Sequence, residues 1–455
     1  MSISMFLRLL GPAAGYSLAS VCLKMYIAPD LTPVINSKDS RWLGAWWFGW
    51  LFYAVVLSLF SLATTLLPKE LPRSAVRKRI EKEKIRRGLK EPNANAVEET
   101  SASLGDMYVT FKRVFNNKIF MTMHTAGVLH LFGFLPYWIY TPKIIETIYH
   151  QSASASSFYT GTLAIVFSGL GVLVGGMFIS KFKPSARFLT MWHVICGFCC
   201  VVGIVSYAFM GCVESDKTLS TNQPTSEVCS ADCHCDFVRY SPVCGDDGLT
   251  YTSACHAGCK STARRNGTKA FGNCSCIGDD EDTSIEQEFS VFSVQKIPSL
   301  STTGPCDVNC KKELFVFLAV MCLMKFIGAT GRTSNFLVSI RCIDEKDKSV
   351  AIGLGSIMVH LFALIPSPIL FGYILDRACL VWGKTCTGTG NCWQYDSETL
   401  RYLLNFTAAF FVLLGTITDF WVWYYVKDLK IFDEDDKAEK PEKTEKKSDD
   451  ATTRY

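Results

Sequence analysis

Charge is what this 455-residue sequence has least of: Asp, Glu, Lys and Arg make up 19% of it, against 49% hydrophobic residues and a mean hydropathy of +0.19. Soluble domains carry about 25% charged residues, so the apolar surplus here has to face lipid rather than water. The net charge of +4 is small, and its Lys and Arg residues sit mostly in loops and the C-terminal tail. A nucleic-acid partner therefore has no support. A phosphate-cradling glycine loop ending in Lys-Ser or Lys-Thr is absent, which removes the signature of ATP-driven pumping. No nucleophile and base stand at a recognisable spacing, so the chain is not expected to be an enzyme or to carry a cofactor. The N-terminal run from Ser2 to Ile27 lacks a basic leader. It is read as an internal signal-anchor rather than a cleavable signal peptide.

What the chain does have is long apolar runs. About 20 such residues cross a bilayer as helix, and eight segments meet that length: 3–26, 43–67, 119–141, 157–180, 187–211, 313–340, 350–375 and 400–427. The expected fold class is an all-α polytopic membrane protein. Residues 1–68 hold two spans, 69–117 a basic loop, 118–211 three spans, 212–311 an outer loop, 312–428 three spans and 429–455 a polar tail. The stretch from Lys69 to Lys90 is strongly basic, as are Lys181, Lys183 and Arg187, which points both segments and the tail to the cytoplasm. The loop 212–311 then falls outside. The tail has almost no apolar content and reads as disordered. Its last residues, Thr453, Arg454 and Tyr455, resemble a docking ligand for a PDZ domain, set against a plain solvated terminus. In the fourth span Gly169, Gly171, Gly175 and Gly176 are spaced as small residues are where membrane helices approach closely.

The outer loop is rich in cysteine. It runs through Cys229, Cys233, Cys235, Cys244, Cys255, Cys259, Cys274 and Cys276, followed by Cys306 and Cys310. A small module outside the cell needs crosslinks in place of a core. Disulfides are therefore expected throughout, against the competing use of four cysteines as a zinc site, and no metal is expected. Asn266 in Asn-Gly-Thr is a glycan acceptor candidate; Asn405 in Asn-Phe-Thr lies in a span and is expected to be unused. The string from Pro242 to Cys259, PVCGDDGLTYTSACHAGC, resembles the Kazal domain, placing that domain at about 227–278. The resemblance implies either an exposed inhibitory loop near Asp236, Phe237 and Val238 or a structural cap.

Just before the second span comes DSRWLGAWWFGWLF. On physics alone its tryptophans are interfacial anchors. The residues Asp39, Arg41, Trp42, Gly44, Ala45, Trp46 and Trp47, however, resemble the signature of the organic anion transporting polypeptide family, whose major facilitator fold carries a Kazal-like loop between spans nine and ten. QSASASSFYTG, ATGRTSNF and PSPILFGYILDRAC are similar to further family segments. On that resemblance the eight spans match the fifth to the twelfth, and the chain is expected to lack the first four. The resemblance implies sodium-independent uptake of amphipathic organic anions at the plasma membrane by alternating access, with steroid conjugates, bile acids, prostaglandins or thyroid hormones as the substrate class. The competing reading is a membrane protein that does not transport and displays its module for a protease or other partner.

Anion passage through low dielectric calls for cations inside the bundle. Lys325 and Arg332, seven residues apart on the sixth span, fall on one helix face. Lys143 stands at the outer end of the third span and His360 in the seventh, with His130 a further histidine in the third. Each also has a plain reading: snorkelling for Lys143, an acidic partner for Arg332, a hydrogen bond within the helix for His360. Arg341, Asp344, Glu345 and Lys348 read as a solvated turn or as gate residues on the inner side.

Overall fold

The computed structural model describes residues 2–31, 42–66, 104–212, 233–235, 238–265, 268–277, 300–344, 347–385, 388–429 and 431, with positions 76, 79, 83 and 86. Asp39, Arg41, Cys229, Asp236, Phe237, Asn266, Glu345 and the tail beyond 431 lie outside the described residues. Ten helices follow in chain order: α1 (Ser2–Cys22), α2 (Trp46–Thr65), α3 (Leu104–Phe115), α4 (Lys118–Ile139), α5 (Thr141–Tyr149), α6 (Ala153–Phe182), α7 (Ala186–Phe209), α8 (Lys311–Arg341), α9 (Lys348–Arg377) and α10 (Ser397–Tyr425). Seven of them, α2, α4 and α6 to α10, are long and apolar enough to cross a membrane. They coincide with the second to eighth spans read from the sequence, because runs of this length leave little freedom of assignment. The remaining run, 3–26, forms α1, which packs against α6 and α2. The chain is a multi-pass membrane protein.

Helix ends follow local chemistry. Asn117 caps α4 by accepting from the Phe120 amide, and Ser185 caps α7 by accepting from the Phe188 amide. Such side chains satisfy amides that the first helical turn leaves without partners. Two spans contain a widened π turn, Tyr159–Leu163 within α6 and His360–Leu364 within α9. The first meets α1 so closely that a β-carbon on Gly161 would fall 1.7 Å from Tyr16 Cβ.

In lipid no water is expelled when helices meet, so close packing of small residues supplies the attraction. A β-carbon on Gly171 would lie 2.4 Å from the Phe326 carbonyl oxygen, and one on Gly175 3.2 Å from Thr330 Cα. This is the backbone approach between α6 and α8 that the glycine spacing predicts. The main buried cluster joins α4 to α10 through Tyr149, Tyr207, Phe317, Phe371 and Leu404, with the Tyr149 and Phe317 rings 5.3 Å apart. By contrast α2 has no buried residue. A helix apolar on all sides meets lipid or another helix.

The expectation of helix holds for the bundle, yet the segments between spans also hold strands. In the loop after α7, β1 (Val243–Gly245), β2 (Thr250–Tyr251), β3 (Cys259–Arg265), β4 (Thr268–Cys274) and β5 (Leu300–Thr303) form an antiparallel sheet in the order β2-β1-β5-β4-β3. Its small core is Val243, Tyr251, Ala257, Cys274 and Ile277. The Tyr251 hydroxyl lies 2.7 Å from an Asp247 carboxylate oxygen and 2.9 Å from the Cys276 carbonyl; burial and then Asp247 push its pKa up. A second hairpin, β6 (Cys379–Thr385) and β7 (Gly388–Tyr395), rises from the end of α9. Trp393 on it meets Tyr240 of the module at 5.6 Å between ring centroids.

Disulfides join Cys212 to Cys310, Cys235 to Cys255, Cys244 to Cys306, Cys259 to Cys274 and Cys379 to Cys392. Cys276 is also disulfide-bonded. Cys259 and Cys274 stand opposite one another in the β3–β4 ladder, so strand register delivers the pair. Cys233 corrects the sequence expectation: it is a free thiol. Eleven cysteines lie from Cys212 to Cys310. Cys212 takes Cys310, and the odd total leaves one over.

Candidate functional site

Two cavities open in the bundle, on different sides of α8. The larger, about 1180 Å³, lies between the bundle, the module and the β6–β7 hairpin, and is lined by Lys143, His150, Tyr240, Phe326, Trp393 and Tyr395 among others. Lys143 there is held by Glu146, one helical turn on, at 3.1 Å, with its ammonium 5.9 Å from the centre of the Tyr395 ring. His150 ends α5 in a left-handed conformation, φ 50°, and burial pushes its pKa down. Charged and aromatic side chains together make this cavity amphipathic.

The smaller cavity, about 320 Å³, is enclosed by α4, α7 and α8 and is lined by His130, Phe134, Tyr137, Tyr207, Lys325 and Arg332. Its size falls in the range of about 300–1,000 Å³ typical of small-molecule sites. The seven-residue spacing on α8 does bring Lys325 and Arg332 to one wall. Arg332 Nη2 donates to Ser168 Oγ at 2.9 Å, a neutral partner that leaves its charge uncompensated. Lys325 has no hydrogen-bond or ion-pair partner among the described residues, and neither cation has a carboxylate within 4 Å there. Two cations without a carboxylate partner among the described residues give one wall of this aromatic, sulfur-containing cavity a positive character that suits an anion.

The other predicted residues are placed differently. His360 is exposed, lines neither cavity, and sits 2.7 Å from the Ser356 carbonyl of the preceding turn. His130 approaches Asp419 Oδ2 at 2.7 Å, and His193 approaches the same oxygen at 3.2 Å. Neither Asp419 nor His193 is among the residues singled out from the sequence. The signal for Asp419 is an acidic residue in the interior of an apolar span. Asn405 is buried, with Tyr137 donating to its side chain at 2.5 Å and its amide donating to the Arg401 carbonyl at 2.7 Å.

The tryptophan motif pins one end of α2. Trp42 Nε1 donates to the Leu23 carbonyl at 2.9 Å and Trp47 Nε1 to the Ile27 carbonyl at 3.0 Å. Gly44 pairs with Tyr26 in a β-bridge, and a β-carbon on it would fall 2.6 Å from Leu23 Cα; Ala45 is buried while Trp46 is exposed. Among its described members the motif therefore acts as a staple between the α1–α2 connection and α2.

At the end of the bundle opposite the module, Arg113 on α3 grips Asp347 with two bonds, Nε to Oδ2 at 2.7 Å and Nη2 to Oδ1 at 2.8 Å. Asp347 is 3% exposed, whereas the Arg113 side chain is 45% exposed. Asn117 Nδ2 also donates to the Cys342 carbonyl at 3.0 Å. This pair, rather than Arg341 with Asp344, ties the α8–α9 turn to α3. Removing one partner has unequal effects. Arg113→Ala strands a buried carboxylate and is expected to destabilise by about 1–3 kcal/mol. Asp347→Ala lets the arginine reach solvent and is expected to cost less. Melting curves of the detergent-purified single variants test the asymmetry; equal losses would show that the pair is held by solvent-exposed attraction alone.

The Organic Anion Transporter Polypeptide (OATP) family model matches residues 1–400. Relatives similar to the chain include the Solute carrier organic anion transporter family member 74D of Drosophila melanogaster, 30% identical over 446 residues that make up 96% of this chain and 51% of that protein. Family member 1C1 of Homo sapiens is 30% identical over 445 residues, 90% of this chain and 59% of that protein. Family member 1A1 of Rattus norvegicus is 29% identical over 441 residues, 90% and 62%. The chain thus spans about half to three-fifths of the length of these relatives. The match describes a family of transporters, in line with the expectation that the chain is not an enzyme. With the family model matching residues 1–400, the chain belongs to the organic anion transporter polypeptide family.

Proposed function

We propose that this chain takes part in sodium-independent uptake of amphipathic organic anions across the plasma membrane, with the α4–α7–α8 cavity holding the anion during passage. One observation carries the reading: Lys325 and Arg332 face an apolar, aromatic cavity with no carboxylate partner among the described residues. A steroid-like or prostaglandin-like ligand offers the matching surface, a flat apolar body with one or two negative groups. Phe134, Tyr137 and Tyr207 then serve the body and the two cations serve the charge. In this reading the module and the β6–β7 hairpin lie outside the cell, where their disulfides form and persist. The larger cavity between them is the vestibule, with Lys143 at its edge. The anion moves as the walls of the path rock about the bound site. Uptake of a fluorescent anionic dye by cells expressing the chain, compared with cells lacking it, tests the proposal. Uptake no higher than in the empty cells, with the chain at the surface, would overturn it and favour a role confined to the displayed module.

A further inference from the structure

Anion binding leaves one group of buried side chains without a task. His130 on α4, His193 on α7 and Asp419 on α10 converge, their three ligand atoms within 4.8 Å of one another. Asp419 is 3% and His130 9% exposed. Both imidazoles line the smaller cavity, and their ring centroids are 5.6 Å apart, nearly edge to face. His130 Nε2 lies 2.7 Å from the carboxylate. His193 Nε2 stands 3.2 Å from the same oxygen, and Nδ1 of both rings is buried with no partner among the described residues. Two imidazole nitrogens converging on one carboxylate oxygen place three donors as ligands of a common ion would be placed.

We propose that His130, His193 and Asp419 form a three-ligand site for a divalent transition-metal ion of the zinc type, with the fourth position open to the cavity. Two imidazole nitrogens and one carboxylate oxygen are a donor set that such an ion takes up readily. Bond lengths of about 2.0–2.1 Å in a tetrahedral site place neighbouring donors about 3.3 Å apart. The His193 contact already has that spacing, and the His130 contact needs only a small side-chain rotation. The ion would carry two positive charges against one from Asp419, so an anion is the favoured fourth ligand, arriving from the cavity that Lys325 and Arg332 also line. Metal binding of this kind stands apart from transport, because it is read on the purified chain.

The test uses the full chain purified in detergent, stripped with a chelator and then dialysed against Zn²⁺, with bound metal measured by mass spectrometry. One zinc per chain and a raised melting temperature are expected. Asp419→Asn and His193→Gln are each expected to weaken binding about 100-fold or more, beyond the loss seen when only a supporting residue is removed. His193→Gln keeps the test decisive if Asp419→Asn fails to fold. The triple variant Cys196→Ser, Cys199→Ser, Cys200→Ser controls for the free thiols nearby and is expected to retain the ion. Cobalt substitution should give visible bands of a four-coordinate site without the near-ultraviolet charge transfer of a thiolate. Absence of stoichiometric zinc in folded wild-type chain, unchanged binding in both ligand variants, or a thiolate band with cobalt would each overturn the site.

Discussion

Replacing Lys325 and Arg332 together by alanine is expected to lower uptake of an anionic dye to the level of cells without the chain. Each cation contributes a charge-assisted contact worth about 1.5–3 kcal/mol in a site of low dielectric, so each single replacement should reduce uptake roughly 10- to 100-fold. The two lie on one cavity wall, so their losses need not add. Arg332→Lys separates charge from geometry. Lysine keeps the positive charge but cannot present the planar fork, so its uptake should fall between the alanine variant and the wild type. Surface biotinylation must show equal amounts of each variant, since a misfolded chain would mimic the result. Undiminished uptake by the double variant at equal surface amount would remove the cavity from the path. Lys143→Ala, in the vestibule and already paired with Glu146, should have a much smaller effect.

Loss of the Cys212–Cys310 bond is expected to be the second large effect. The bond closes 98 residues of chain, and closure of a loop that long removes about 4–5 kcal/mol of freedom from the unfolded ensemble. Cys310 is also the residue from which α8 starts, so the bond fixes where the module leaves the bundle. Replacing only one partner frees a thiol in a segment that already carries the free Cys233. Cys212→Ser alone should therefore give non-native disulfides on a non-reducing gel and a several-fold fall in surface abundance. The double variant Cys212→Ser, Cys310→Ser should lose stability with less scrambling. Equal abundance of single variant and wild type would show that the helix ends hold the module in place without the bond.

Spans, their order and the shared face of Lys325 and Arg332 were legible because they depend on local rules: a 20-residue apolar run, a 3.6-residue turn. The glycine-lined contact between α6 and α8 was legible for the same reason. Pairings across the chain were not. His130 and Asp419 are 289 residues apart, and Arg113 and Asp347 are 234 apart; no periodicity joins them, only the packing of α4 on α10 and of α3 on α9. Asp419 was nevertheless available as the acid in the interior of a long apolar helix, well beyond Glu398 in its first turn. His360 was picked for its place six residues before PSPILFG, which says nothing of rotation about the helix axis; its imidazole is exposed, at the start of a π turn. The β6–β7 hairpin escaped notice because no short-range pattern joins Cys379 to Cys392, whose bond closes it.

The covalent strap at the root of the module has a mechanical meaning. Cys212 stands three residues beyond α7 and Cys310 immediately before α8, so the two helices are joined at one end and packed along their length. They form a single lever, and the bundle loses the degree of freedom that would let them part there. In the proposed uptake, a rocking motion that exposes the Lys325 and Arg332 wall would carry the joined ends of α7 and α8, and with them the root of the module.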